Sequence, residues 1–295
     1  MKKKWKSLSE RQRDRLRDLA FLSPSLIGMA VFFILPFFVI IYYSLIDNPI
    51  RHNFVFLDNF IGLFKNSAFL TAGKNTLLFS FISVPLAVIL PFFLAELLEA
   101  KIPLKSQFRS FFLSPMMVPI ASVVLIWQVL FSYNGTINDL LGLFGIEKLD
   151  WLKSQYAQVA VVTLFLWKNI GYNMILFMAG LNNIPRDLLE AAEIEGATPW
   201  YKFKDITLRY LSPTILFVTI LSLINSFKVF REAYLLTGDY PVESLYLLQH
   251  FMNNMFRSLD YQRLSAAAII MAIVMIVIIA ILFKLEDKLG KDVEG

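Results

Sequence analysis

The 295-residue chain is 57% hydrophobic and only 17% charged, has a formal net charge of +5 and contains no cysteine. Soluble domains carry about 25% charged residues, so the composition excludes a soluble globular protein. The missing thiols exclude disulfides, thiolate metal sites and a cysteine nucleophile.

Residues 1–20 form a basic tail in which Lys2, Lys3, Lys4, Lys6, Arg11, Arg13, Arg15 and Arg17 are interspersed with Glu10, Asp14 and Asp18. Such a tail suits the anionic inner leaflet better than nucleic acid. A membrane span needs about 20 mostly apolar residues, and six segments qualify: 21–46, 76–98, 108–131, 157–181, 213–236 and 264–283. The first is too long for a signal-peptide core and lacks a small-residue cleavage pattern, so a retained helix is predicted. The second ends in Glu96 and Glu99, which are predicted to be solvated. The third is the least uniform, with Pro115, Pro119 and Gln128. Prolines 24, 36, 85, 91 and 213 also fall within or beside spans, where each frees a backbone carbonyl and permits a kink.

The fourth span carries Lys168 near its middle, where an uncompensated charge costs roughly 2.5–3.5 kcal/mol on insertion scales. Asn169, Tyr172 and Asn173 continue its polarity at helical spacing. The fifth span repeats the pattern with Ser222, Asn225 and Ser226, then Lys228, Arg231 and Glu232. Such groups are tolerated facing a bundle interior or a wet cavity. Plain helix–helix hydrogen bonding by Asn and Ser, with Lys228 paired to Glu232 one turn on, is the structural alternative.

Between these two spans lies the most polar stretch, Asn182 to Pro213. Pro185 suits a first helical turn, with Asn183 a possible cap. Asp187 and Glu190 sit early, where the helix dipole favours negative charge. Gly196 ends the run as a C′ residue would. Thr198 and Pro199 then start a second short helix to about Leu208. The product is an elbow, whose first arm presents Leu188, Leu189, Ala191, Ala192 and Ile194 among Glu190, Glu193 and Glu195. Three glutamates disfavour an interfacial lipid-binding helix; apolar contact with a few directed charges predicts protein docking.

For six spans, 18 Lys and Arg fall on the side of the termini and the elbow, against 7 on the other, so that side is predicted to be cytoplasmic. No Walker A pattern occurs, since Gly290-Lys291 is followed by Asp292. His52 and His250, in predicted outer loops, do not make a metal site, and catalysis by this chain is not predicted.

The run "EAAEIEGATPWYKFKDITLRYLSP" resembles the EAA loop of permease subunits of binding-protein-dependent ABC importers. Glu190, Ala191, Ala192, Gly196, Ile206 and Leu208 fall on that pattern, while Arg209 stands where the family usually has proline. "NFIGLF", "NTLLFS", "LWKNIGYNMILFMAGL" and "SFKVFREAYLLTGDYP" are similar to the carbohydrate, maltose-permease-like branch, which usually ends the last of these Gly-Gly-Pro, a pattern from which Asp239-Tyr240 departs. The resemblance implies an all-α membrane protein with six transmembrane helices, the type I ABC importer permease fold, and a cytoplasmic coupling helix. Its expected layout is a tail at 1–20, a first helix at 21–46, a permease core at 71–284 with the EAA loop at 185–209, and a C-terminal tail at 285–295.

The resemblance further implies that Glu190, Ala191, Ala192 and Gly196 couple to an ATPase. It implies a sugar site at Asn169, Tyr172, Ser222 and Ser226, then Lys168 and Asn225, with Trp167, Tyr172 or Phe227 stacking on a pyranose. The implied partners are a second homologous permease in a heterodimer, two cytoplasmic ATPase subunits that bind ATP and Mg, an extracytoplasmic sugar-binding protein and membrane lipid. This chain itself is expected to need no cofactor. The implied setting is a bacterial cytoplasmic membrane. The competing expectation is an ion-coupled secondary transporter of a small polar solute that uses Lys168 and Glu232.

Overall fold

The computed structural model describes residues 10–99 and 103–290. The tail residues 1–9, Lys101 and residues 291–295, on which part of the charge reading rests, lie outside them. The fold is helical, and among the described residues five helical stretches are long and apolar enough to cross a membrane: Arg17–Ser44, Ser67–Glu99, Ala157–Asn182, Ser212–Thr237 and Tyr261–Asp287. A sixth candidate is a bent pair, Lys105–Met117 with Ile120–Leu130.

The chain divides into two compact units, one of residues up to Leu63 with Met255–Ala272, the other of Phe64–Asn254 with residues from Ile273 on. In the first, α1 (Glu10–Met29) continues through a π-helical turn, Ala30–Ile34, into α2 (Leu35–Ser44). That turn lies where Pro36 denies its i−4 carbonyl a partner, the usual cause of such a bulge. The Asn59 amide donates to the carbonyls of Ser44 and Ile46, both at 2.9 Å, and ties α3 (Asp58–Phe64) back to the end of α2.

The second unit holds α4 (Ser67–Glu99), α5 (Lys105–Leu113), α6 (Ile120–Leu130), α7 (Thr136–Leu143), α8 (Ala157–Asn182), the elbow, α12 (Ser212–Phe227), α13 (Phe230–Thr237) and α14 (Leu248–Arg257). The last helix, α15 (Tyr261–Gly290), runs from the first unit into the second. The elbow comprises α9 (Arg186–Ile194), α10 (Pro199–Tyr201), a π-helical turn Lys202–Thr207, and α11 (Leu208–Tyr210).

The most extensive packing is α4 on α8, with α12 against both. Lipid tails are as apolar as leucine, so spanning helices associate through close packing and interhelical hydrogen bonds. Both devices are present. Gly171 lets α8 lie against the backbone of α5: a Cβ there would run into the Phe112 carbonyl. The Asn173 amide donates to the Ala87 carbonyl at 2.7 Å and to Ser222 Oγ at 3.0 Å. Ser80 and Ser226 share a hydrogen bond at 2.8 Å. Two apolar cores follow. One, around Phe79, Trp127, Leu164 and Leu245, lies away from the elbow. The other, around Phe92, Met174, Phe177 and Leu211, lies against it.

Three expectations need correction. The third span is not one helix: α5 and α6 meet at 99°, and α6, with 11 residues, is about 16 Å long against an apolar thickness of about 30 Å. Pro115 sits in a 3₁₀ turn, Val118 is extended, and Pro119 starts the new helix; a proline cannot supply the N–H that would carry α5 onward. Glu99 is not simply solvated, because it pairs with Lys105 at 2.9 Å and Arg109 at 3.4 Å and accepts from Asn182 at 3.1 Å. His250 is not in a loop; it lies within α14, fully buried, with Phe230 edge-on at 4.8 Å.

Two predictions follow from this packing. Gly171→Ala places a methyl against a backbone carbonyl that cannot turn aside, and is expected to destabilise by about 1–3 kcal/mol, read as a lower thermal midpoint in detergent. Burial pushes the His250 imidazole down to about 4, with Asp239 pulling the other way. The unfolded chain therefore takes up a proton first as pH falls, and stability is lost between about 6.5 and 4. His250→Phe is expected to flatten that part of the stability–pH curve.

Candidate functional site

A cavity of about 470 Å³ opens between α8 and the α12–α13 junction, lined by Lys168, Asn169, Asn225, Lys228, Arg231 and Glu232, with Met116 and Phe165 as its apolar wall. The sequence prepares each side. Lys168 and Asn169 are neighbours on α8, about 16 Å along the helix from Ala157. The fifth span breaks at Lys228-Val229, between α12 and α13, which turns Lys228, Arg231 and Glu232 towards the same space.

Lys168 Nζ and Glu232 Oε1 lie 2.5 Å apart, with the lysine side chain 25% and the glutamate 8% exposed. Glu232 thus pairs across to α8, not with Lys228 one turn before it. Asn225 donates to Asn169 Oδ1 at 2.9 Å, and Asn169 in turn donates to the Phe165 carbonyl at 2.8 Å. The cavity is a polar seam between two helices, held by one ion pair and one amide pair.

The six residues named from the sequence separate into two groups. Lys168, Asn169 and Asn225 line the cavity. Ser222 and Ser226 are each 1% exposed and take part in the α4–α8–α12 joint. Tyr172 is exposed on α8, outside the cavity wall. Of the proposed stacking rings, Trp167 lies 5.2 Å from Trp127, and Phe227 is buried. Met116 was not anticipated, although its position between Pro115 and Pro119 marks a place where the chain must leave its helix.

The elbow lies at the other end of α8. Its turn is a Schellman motif: Gly196 has φ +80°, Ala197 N–H reaches the Ala192 carbonyl at 2.9 Å and Gly196 N–H reaches Glu193 at 3.1 Å. Thr198 accepts from Tyr201 N–H at 3.2 Å, and Pro199 opens α10 as predicted. Pro185 itself is the N-cap of α9, whereas Asn183 closes α8. The residue before a proline is kept out of the helical region, so Ile184 separates the two helices and Asn183 has no helix to cap.

Lys202 pairs with Glu193 at 2.5 Å across the elbow. Arg209, at the family's proline position, sits in α11 and pairs with Asp205 at 3.5 Å. Ala192 is buried, and Leu189, Phe203 and Ile206 pack on the core of Phe92, Phe177 and Met178. Leu188, Glu190, Ala191, Ile194 and Gly196 stay exposed.

Residues 60–294 match the family of binding-protein-dependent transport system inner membrane components. The chain belongs to that family. Among its relatives, the trehalose/maltose transport system permease protein MalF of Thermococcus litoralis is 31% identical over 90% of this chain and 92% of its own. The sn-glycerol-3-phosphate transport system permease protein UgpA of Pectobacterium atrosepticum is 30% identical, over 90% of this chain and 92% of its own. A subunit of a bacterial ABC transporter involved in the import of the acidic polysaccharide alginate has the same fold, with a TM-score of 0.81, 23% identity and coverage of 95% and 99% of the two chains. The protein is thus a multi-pass inner-membrane permease subunit of the ABC importer type.

The ion pair gives this permease a measurable signature. Removing one partner of a buried pair strands the other charge and costs about 3–5 kcal/mol. Lys168→Met and Glu232→Met are each expected to lower the thermal midpoint and the yield of folded protein. The double variant Lys168→Met/Glu232→Met should recover most of the loss, and a strictly additive double-mutant cycle would contradict the pairing.

Proposed function

We propose that this permease forms half of the translocation path of an ATP-driven importer, passing a sugar or oligosaccharide through the cavity between α8 and α12–α13. The observation that carries the reading is the two-faced elbow: one face is built into the core on which α4, α8 and α12 converge, and the other is left open. Glu190 makes no hydrogen bond or ion pair among the described residues, which suits an acceptor kept for a partner. The partner is a cytoplasmic ATPase subunit, one of two that bind ATP and Mg. A second, unlike permease completes the path, and an extracytoplasmic binding protein delivers the substrate. The excess of Lys and Arg beside the elbow supports a cytoplasmic elbow and cytoplasmic termini.

The sugar assignment draws support from the relatives' substrates and from the cavity chemistry. Asn169 and Asn225 offer amide groups to sugar hydroxyls, and Phe165 gives a ring edge for an apolar sugar face. Ser222, Ser226 and Tyr172 act on the substrate only through the helices they position. ATP closure drives the elbow, the helices rock, and the cavity opens outward; hydrolysis resets it. The ion-coupled carrier reading had Lys168 and Glu232 as its proton or ion relay. Membership of a binding-protein-dependent family weighs against it, because such systems draw on ATP.

The test is Glu190→Ala in the purified complex reconstituted in vesicles with its binding protein. ATP hydrolysis is expected to persist while uptake falls by about tenfold or more, the loss of a charged contact worth at least 1.4 kcal/mol. Wild-type uptake by the variant would remove the elbow from the mechanism. Uptake that collapses with the proton gradient at constant ATP would restore the ion-coupled reading.

A further inference from the structure

The charges around the cavity do not balance. Its wall holds Lys168, Lys228 and Arg231 against a single carboxylate, Glu232. That carboxylate is already committed. Its Oε1 is 2.5 Å from Lys168 Nζ, whereas the Arg231 guanidinium stands off at 3.9 Å, beyond hydrogen-bonding distance. The Arg231 side chain is 68% exposed. Lys228 is exposed, and its ammonium group has no hydrogen bond or ion pair among the described residues. Lys228 therefore faces this polar space with no internal anion, and Arg231 with only a 3.9 Å contact to a carboxylate that Lys168 already holds.

We infer that this cavity selects an anionic saccharide, one carrying a carboxylate or a phosphate, and that Lys228 and Arg231 determine that preference. The inference rests on the cavity being the importer's substrate path. The physical reason is that low-dielectric walls focus a surplus of like charge, and a neutral sugar hydroxyl cannot answer it. A planar guanidinium meets a carboxylate or phosphate with two parallel hydrogen bonds, and a lysine ammonium adds a mobile point charge. The remaining wall suits the rest of such a molecule. Asn169 and Asn225 can bond ring hydroxyls, and Met116 and Phe165 can cover an apolar face. The Lys168–Glu232 pair keeps α8 and α13 in register without lending its charge to the ligand.

The experiment uses the complete importer in vesicles with its binding protein and follows ATP-dependent uptake of matched saccharides. The probes are galacturonate against galactose, their di- and trisaccharides, and glucose 6-phosphate against glucose. Uptake of an acidic member is expected, falling about tenfold or more in Lys228→Gln and Arg231→Gln, with Lys228→Arg restoring it. The carboxylate and phosphate arms distinguish the two sources of negative charge. Uptake confined to neutral members overturns the inference and leaves the importer reading intact. So does acidic uptake that is unchanged in both glutamine variants, or a loss in Lys228→Gln that Lys228→Arg does not repair. The absence of ATP-dependent uptake for every saccharide overturns the importer reading itself, and this inference with it.

Discussion

The hydrocarbon core of a bilayer offers no water, so a polar side chain on a spanning helix must find its partner on a neighbouring helix. In this chain one fully buried joint shows how that constraint is met. Asn173 on α8 reaches the Ala87 carbonyl of α4 and Ser222 of α12, and one helical turn away Ser80 of α4 meets Ser226 of α12. Three helices are thereby fixed in rotation as well as in distance. The rotation matters most, because it turns Asn169 and Asn225 toward each other and sends Lys168 toward Glu232. The cavity is what remains where the joint ends and α12 gives way to α13.

That dependence explains which parts of the molecule were legible in the sequence. The elbow was legible almost completely, because a Schellman turn at Gly196 and a cap at Thr198 are local events whose residue types have few other uses. A local error, Asn183 as a cap, came from treating Pro185 as the first helical residue, whereas its ψ of 125° is extended and makes it the N-cap. The spans were legible as lengths, but a count of apolar residues does not register that Pro115 and Pro119 bracket an extended Val118 and turn the chain through 99°.

The polar residues were legible as a stripe and not as roles. A serine that binds a ligand and a serine that bonds the next helix leave the same mark at i, i+3 and i+4. Ser222 turns to Asn173 of α8 and Ser226 to Ser80 of α4, whereas Asn225 faces the cavity, and successive residues differ by about 100° around the helix. Glu99 was misread for a similar reason. Its partners Lys105 and Arg109 lie across a turn of the chain, and a sequence gives no distance between them.

The joint also ties the elbow to the cavity mechanically. α8 carries Lys168 at its middle and Asn182 at the elbow end, about 21 Å apart along one helix. α12 leaves the elbow at Ser212 and reaches the cavity at Asn225. Phe203 of the elbow lies 5.9 Å from Phe92 of α4, which is itself 5.7 Å from Phe177 of α8. The elbow is thus joined to α4 and α8 through packed rings and to α12 through Val218 and Ile215 of the same core, and interiors so packed move as bodies more readily than they deform. The joint at Asn173 has no exposed member and favours such rigid motion. The Lys168–Glu232 pair is different, since its lysine is 25% exposed where it borders the cavity. A salt bridge gains little over a hydrophobic contact in stability, but at the wall of a polar cavity its strength follows the local hydration, which that of a leucine–leucine contact does not. The fold thus keeps its fully buried polar contacts in the joint and its partly hydrated one beside the cavity.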